Sequence, residues 1–315
     1  MTDASGRSAT AEERVGIVVI VNPVKVPDVD AFRALVDAKV RELDPDGGAV
    51  EVTWAETTEA DPGTRPARAA VDAGATLVIA AGGDGTVTAC ASALAWARVT
   101  LGIVPVGTGN LLARNLELPL QVERAVDVAL GGIDRRIDVL ESGDETHVVM
   151  AGMGLDAALI RDTDDGLKQR IGWLTYIGGA RRAMLGTPRQ KYTITFDNGA
   201  SVIEQRAVGV VVANVGGLTG GLTLLTDARP DDGRFDVLIL SPHRKVAHWA
   251  SVLAHVVVRR LHDDARVRIT QAEQVTIGTD VAAPTQFDGE HRGDRRELSV
   301  TARPAALLVR CPATA

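Results

Sequence analysis

The spacing of apolar positions changes character partway along this chain. Val15–Val21 is a continuous apolar run ending at Asn22-Pro23, which predicts a buried strand and a turn. From Asp30 to Leu43 the apolar positions Phe32, Leu35, Val36, Val40 and Leu43 fall on one face of a helix. Val50–Trp54 predicts a short strand and Pro62–Ala73 a helix closed by Gly74. Leu77–Ala81 then reads as a buried strand, Val87–Ala97 as a helix, Ile103–Pro105 as a strand and Leu111–Leu116 as a helix. Strand and helix alternate to about residue 140, the pattern of a doubly wound α/β domain.

Beyond that point strands dominate. Candidates are Arg136–Leu140, His147–Ala151, Tyr192–Phe196, Ala207–Ala213, Phe235–Leu240, Val267–Thr270, Gln274–Ile277 and Leu298–Val309, punctuated by Gly, Asp and Asn. Two helical stretches interrupt them, Trp173–Leu185 and Val246–Arg260. The expected organisation is a tail over 1–14, an α/β domain over 15–137 and a β-rich domain over 138–297. The final segment, 298–315, is a candidate to rejoin the first domain.

With 315 residues the chain can bury a sizeable core, and its 45% apolar content is ordinary for a globular protein. A net charge of −7 gives no electrostatic footprint for nucleic acid. Cys90 and Cys311 are the two cysteines; both read as small buried residues that suit a reducing cytoplasm, and a disulfide between them stays open. The polar start has no apolar core of a secretory signal, and no apolar run is long enough for a transmembrane helix.

The chemistry concentrates where predicted strands stop. Leu77–Ala81 ends at Gly82-Gly83-Asp84-Gly85-Thr86. Glycines between a buried strand and a helix let backbone N–H groups approach a ligand, and the helix start adds positive potential, so phosphate suits the turn. Asp84 among such donors points to a magnesium–nucleotide complex or to a positioning role. A second loop of the same kind, Gly107-Thr108-Gly109-Asn110, follows the next strand. Thr108 can donate to a phosphate or ribose oxygen, and Asn110 can instead cap the helix after it. In consecutive strand–helix units the two loops would lie side by side at one sheet edge. Two acidic turns lie further on, Asp231-Asp232-Gly233 and Asp288-Gly289-Glu290, each equally readable as a hairpin turn. The six histidines have no metal-ligand spacing, although His248, His255 and His262 recur every seventh position. The stretch around them carries Arg244, Lys245, Arg259 and Arg260 at its ends, which suits either an interfacial membrane helix or one packed on the β domain; Trp173–Leu185 has the same two readings.

Gly82–Thr86 followed by Pro105-Val106-Gly107-Thr108-Gly109-Asn110-Leu111-Leu112-Ala113-Arg114 resembles the diacylglycerol kinase catalytic-domain family, which includes sphingosine and ceramide kinases and is related to NAD kinases. The resemblance extends through Val21-Asn22-Pro23, Thr57-Thr58, Gly152–Asp156, Gly220-Gly221 to Val237, and Phe287–Glu290. Two positions depart from it: Val26 stands where the family has a glycine, and Leu111 where it often has an acid. The resemblance implies an ATP-dependent lipid kinase with an α/β nucleotide domain and a β-sandwich-like domain. It implies that Asn22, Pro23, Thr57, Thr58, Gly82, Gly83, Asp84, Gly85, Thr86, Gly107, Thr108, Gly109 and Asn110 contact the nucleotide. It implies that Mg²⁺ is held by the Asp232 carboxylate and by carbonyls near Arg229 and Arg234. It favours Glu290 as proton acceptor, with Asp288 beside it, and counts Asp84 with them among the catalytic residues. A lipid hydroxyl has a high pKa, so a carboxylate must take its proton as the O–P bond forms. Implied partners are ATP, a lipid acceptor with diacylglycerol first, and a transient membrane surface at the inner face; the chain would be a monomer or a homodimer. NAD kinase, a sphingoid or ceramide kinase, and a non-catalytic nucleotide- or lipid-binding regulator are the alternatives.

Overall fold

A computed structural model describes residues 15–154, 188–217, 224–225, 227–241 and 266–313. The helical stretches expected over 173–185 and 246–260, and the His248, His255 and His262 series, lie outside the described residues. Among those described, no helix is long and apolar enough to cross a membrane.

Through Asn115 the first half alternates as the apolar pattern predicts; a further helix that the pattern does not give, Val122–Gly131, follows directly. The elements of this half are β1 (Val15–Val21), α1 (Val29–Leu43), β2 (Val50–Glu56), α2 (Thr64–Asp72), β3 (Leu77–Gly82), α3 (Asp84–Leu94), β4 (Thr100–Pro105), α4 (Leu111–Asn115) and α5 (Val122–Gly131). The strands pair in parallel in the order β2-β1-β3-β4. Every residue of β3 and β4 is buried, because helices cover both sheet faces. Ala67, Ala70, Cys90 and Leu94 of α2 and α3 pack on one face, and Phe32, Val36, Ala125 and Ala129 of α1 and α5 on the other.

The second half is antiparallel: β5 (Ile133–Ser142), β6 (Glu145–His147), β7 (Met150–Gly154), β8 (Gln190–Phe196), β9 (Ser201–Ala207), β10 (Gly209–Ala213), β11 (Phe235–Leu240), β12 (Val267–Ala272), β13 (Gln274–Phe287) and β14 (Glu290–Cys311). β13 joins two layers. Its first part pairs with β8, its last part with β7, and a register shift between Gly278 and Ala283 lets it bend from one to the other. Tyr192, Phe196, Phe235, Phe287 and Met153 fill the space between the layers. β14 leaves this sandwich at a second irregularity, between Arg303 and Leu307, and lays Leu308 and Val309 parallel to Thr100 and Leu101 of β4. Asp138 clasps that irregularity: its carboxylate accepts the Ala305 N–H at 2.7 Å and the Gly233 N–H at 2.6 Å.

Two expected strands are each divided, for physical reasons. His147–Ala151 breaks between β6 and β7 because the backbone groups of Val148 and Val149 pair with Asp288 and Asn214. Their N–H groups go to the Asp288 carboxylate, the Val148 carbonyl accepts from Asn214 Nδ2, and the Val149 carbonyl accepts the Asn214 N–H at 2.9 Å. Ala207–Ala213 breaks at Val208, where the chain leaves β8 for a new neighbour and the Val208 N–H donates to the Leu240 carbonyl. The two cysteines are both buried and both free.

Candidate active site

The glycine loops and their neighbours gather at the carboxyl ends of β1, β2, β3 and β4. This edge is where open α/β sheets bind ligands. Gly83 is the N-cap of α3, so the N–H groups of Gly83, Asp84, Gly85 and Thr86 have no partner within the helix. Gly85 is exposed and Thr108 is exposed, so both loops present their tips to solvent.

The loops touch backbone to backbone. A Cβ on Gly107 would stand 2.6 Å from the Gly83 Cα and 2.9 Å from Asn110 Oδ1, so glycine is required at 107. Asp84 braces the pair. Its two carboxylate oxygens accept the Asn110 N–H at 2.9 Å and the Leu111 N–H at 2.5 Å. Asp84 thereby caps α4 from a distance, the service one reading gave to Asn110. Asn110 instead sits in the left-handed region at φ 50° and folds its side chain back on the loop, accepting from the Gly107 N–H at 3.0 Å and donating to the Gly107 carbonyl at 2.8 Å.

Thr86 is buried, and its methyl-bearing side chain lies against the backbone of Gly82, where a Cβ would meet it at 2.5 Å. Its hydroxyl accepts from Asn22 Nδ2 at 3.3 Å, joining the loop after β1 to the loop after β3. The Asn22 Oδ1 accepts the Val24 N–H at 3.0 Å and the Lys25 N–H at 3.3 Å, shaping the turn that contains Pro23. Val26 is buried in the core beneath that turn. Thr57 is buried at the end of β2, and the Thr58 hydroxyl accepts the Asp61 N–H at 3.1 Å. A cavity of about 490 Å³ lined by Val15, Ile17, Leu43, Leu77 and Leu308 opens at the opposite end of the same strands and touches none of these loops.

The second half contributes its β13–β14 turn. Asp288 (φ 46°) and Gly289 (φ 89°) both take the left-handed conformation required by the tightest hairpin. The turn carries two carboxylates to different surroundings. Asp288 points into the protein. One oxygen accepts from the Val149 N–H (2.9 Å) and the Met150 N–H (2.8 Å); the other accepts from the Val148 N–H (3.0 Å) and the Thr88 hydroxyl of α3 (3.4 Å). Its own N–H returns a bond to the Met150 carbonyl at 2.8 Å. Burial pushes the Asp288 carboxyl up, and the three N–H donors and Thr88 pull against that shift. Glu290 points out. Its Oε1 lies 3.8 Å from the position a Cβ would take on Gly85, and its Oε2 pairs with Arg292 at 2.9 Å. An exposed carboxylate from the β half thus stands over the first turn of α3.

His147, which no sequence pattern singled out, supports this turn. Its ring stacks on Phe287 at 4.0 Å between centroids. Burial first, then the charges of Arg292 and Arg295, push its pKa down to about 3, so the ring is neutral.

The Asp231–Gly233 turn lies apart from these loops. Asp231 pairs with Arg135 at 2.7 Å, while Asp232 is exposed and uses one oxygen to accept the Arg234 N–H at 3.0 Å. Asp236 is buried nearby, its carboxyl pushed up by burial and then by the charges of Asp232 and Asp227. Among the described residues no three His, Cys, Asp or Glu side chains form a metal cluster. Asp232 offers an exposed carboxylate with the charge of Asp236 close by, the kind of hard oxygen donor that Mg²⁺ takes.

Residues 17–142 match the family model of the diacylglycerol kinase catalytic domain, and residues 148–311 match that of the YegS C-terminal NAD kinase beta sandwich-like domain. The chain is similar to a diacylglycerol kinase of Bacillus subtilis, with 31% identity over 249 residues that cover 77% of this chain and 80% of that protein. It is similar to a "Probable lipid kinase YegS-like" of Chromohalobacter salexigens, with 32% identity and 84% of each chain covered. A solved diacylglycerol kinase structure from Bacillus anthracis superposes with a TM-score of 0.72 at 19% identity, covering 97% of this chain and 99% of that one, which shows a shared fold. With both halves matched in order, and with relatives aligned across most of their length, this chain belongs to the family of diacylglycerol kinases and YegS-like lipid kinases.

Proposed function

We propose that this kinase transfers the γ-phosphate of ATP to a lipid hydroxyl, with diacylglycerol the first candidate acceptor and phosphatidic acid its product. The observation that carries the reading is the approach of Glu290, from the β half, to Gly85 in the first turn of α3. It sets a carboxylate base opposite a row of N–H donors that have no partner within α3. Polyphosphate lies along those donors and against Thr108, where fixed N–H dipoles offset charge that builds on the transferring group. The acceptor hydroxyl enters between the halves and loses its proton to Glu290 as its oxygen bonds to the γ-phosphorus; the bond from that phosphorus to the β–γ bridging oxygen breaks, and ADP leaves. Much of the acceleration comes from aligning these atoms.

The two acids of the hairpin then have separate tasks. Asp288 has four donors on its oxygens and acts as a positioning residue that pins the turn to α3 and to Val148–Met150. Glu290 is the exposed acid and the base. Asp84 holds the two phosphate loops in register. Asp232, with the carbonyls of Arg229 and Arg234, is the candidate Mg²⁺ site; an ion there would stiffen the turn that Asp138 grips. The reading carries a visit to a membrane surface to collect the lipid.

Incubation with γ-labelled ATP, a total lipid extract and added NAD tests the proposal. The expected result is a labelled phospholipid, absent with Glu290→Gln. Label that appears on NAD and on no lipid would replace the proposal with an NAD kinase. ATP binding with no labelled product would make the chain a regulator.

A further inference from the structure

The short helix α4 starts where the second glycine loop ends, and its last residue reaches the other half of the molecule. Asn115 Oδ1 accepts the Gly217 N–H at 2.7 Å. Its Nδ2 donates to the Gly217 carbonyl at 3.2 Å and to the Leu111 carbonyl at 2.8 Å. One side-chain amide thus satisfies both backbone groups of Gly217, as a neighbouring strand would. The fit is close: a Cβ on Gly217 would lie 2.8 Å from Asn115 Oδ1. The other end of α4 is held through the Asn110 and Leu111 N–H groups by Asp84, between the two glycine loops. α4 is therefore a strut of five residues, with one end on the candidate phosphate loops and the other on the chain that follows β10. Immediately before Gly217, the Gly216 carbonyl accepts from Leu224 at 2.8 Å and Leu225 at 3.2 Å, closing that part of the β half on itself.

We propose that Asn115 is a positioning residue that couples nucleotide occupancy of the glycine loops to the order of the Gly216–Gly217 and Leu224–Leu225 clasp, and so to acceptor engagement by the β half. The proposal rests on the nucleotide reading above. Its basis is a contiguous chain of bonds, Asp84 to α4 to Asn115 to Gly217, in which each link is polar and short. Phosphate bound at Asn110 and Thr108 bears on the near end of a one-turn helix too short to absorb the displacement. The far end must move with it.

Amide hydrogen exchange on the full chain tests the coupling, with the magnesium complex of the non-hydrolysable analogue AMP-PNP as probe. In the parent, the analogue is expected to protect Gly83–Thr86 and Asn110–Leu111, and also Gly217, Leu224 and Leu225. Asn115→Ala keeps the first protection and loses the second. In lipid-kinase turnover the same variant raises the KM for lipid about tenfold while the KM for ATP changes less than about twofold. Gly217→Ala breaks the clasp from the other side and gives the same split, and the double variant is no worse than either single one. Undiminished distal protection in both variants, or equal shifts of both KM values, overturns the coupling while leaving the nucleotide site intact. Absence of any protection at Gly83–Thr86 in the parent overturns the nucleotide reading and the coupling with it.

Discussion

Replacing Asp288 with alanine separates a positioning role from a catalytic one. The substitution removes the acceptor of the Val148, Val149 and Met150 N–H groups, bound at 3.0, 2.9 and 2.8 Å. All three residues are buried, at 0%, 3% and 6% exposure, so water does not readily replace the lost carboxylate. A buried donor left without a partner costs about 1–3 kcal/mol, so three of them cost at least about 3 kcal/mol. That is a large share of the roughly 5–15 kcal/mol that holds a domain together. Urea unfolding of Asp288→Ala is therefore expected to show a loss of about 3 kcal/mol or more, with activity falling as the hairpin loosens. Glu290→Gln gives the opposite pattern. Glu290 has a 57% exposed side chain, and its replacement is expected to leave stability within about 0.5 kcal/mol of the parent while lowering kcat by about 10²–10⁴-fold. The reasoning fails if Asp288→Ala unfolds within about 1 kcal/mol of the parent, since the four-donor cradle would then hold nothing in place.

Three further outcomes follow from contacts at the same site. Gly107→Ala drives a methyl group into Gly83 Cα at 2.6 Å and parts the two loops, so calorimetry should show ATP affinity reduced at least about tenfold. His147 is neutral in the fold, its pKa lowered from 6.5 to about 3, so the unfolded chain takes up a proton that the folded one refuses. Stability from this group is full above pH 6.5 and is lost as pH falls toward 3, at up to about 1.4 kcal/mol per pH unit; unfolding curves of His147→Phe between pH 7 and 5 should lack that component, and an unchanged slope contradicts the assignment. Burial pushes the Cys90 thiol up to about 12 and also raises the Cys311 thiol, so a thiol reagent at pH 8 should label neither in the native protein and both after denaturation.

Much of the first half is legible in the sequence because its signals are local. The apolar runs of β1 and β3 stop at Asn22 and at the glycines, and the chain must turn there. α5 left a weaker trace: its buried face is Ala125, Val126 and Ala129, small residues whose helical spacing carries little contrast. The second half was read less completely, because long-range contacts shape its strands. Nothing near Val148 announces that its strand will break, since the carboxylate responsible is Asp288 and the amide responsible is Asn214. β13 extends to Phe287, well past the Ile277 end that its apolar alternation suggested, because it changes layers across a bulge where the pattern fades.

The candidate site divides the same way. The glycines and Asp84 stand out from type and spacing, whereas the Asp288–Glu290 turn reads equally as a hairpin and is singled out by the family resemblance. The separate environments of Asp288 and Glu290 do not, because only the fold turns one acid inward and the other toward Gly85. Asn115 and His147 have no local signal at all; each acquires its surroundings from the other half or from a distant strand.

A crystal structure with magnesium and AMP-PNP tests the central claim most directly. The account predicts phosphates on the N–H groups of Gly83, Asp84, Gly85 and Thr86, beside Thr108, with the γ-phosphate facing Glu290 across the cleft. A nucleotide bound elsewhere, or a γ-phosphate turned away from Glu290, would contradict it.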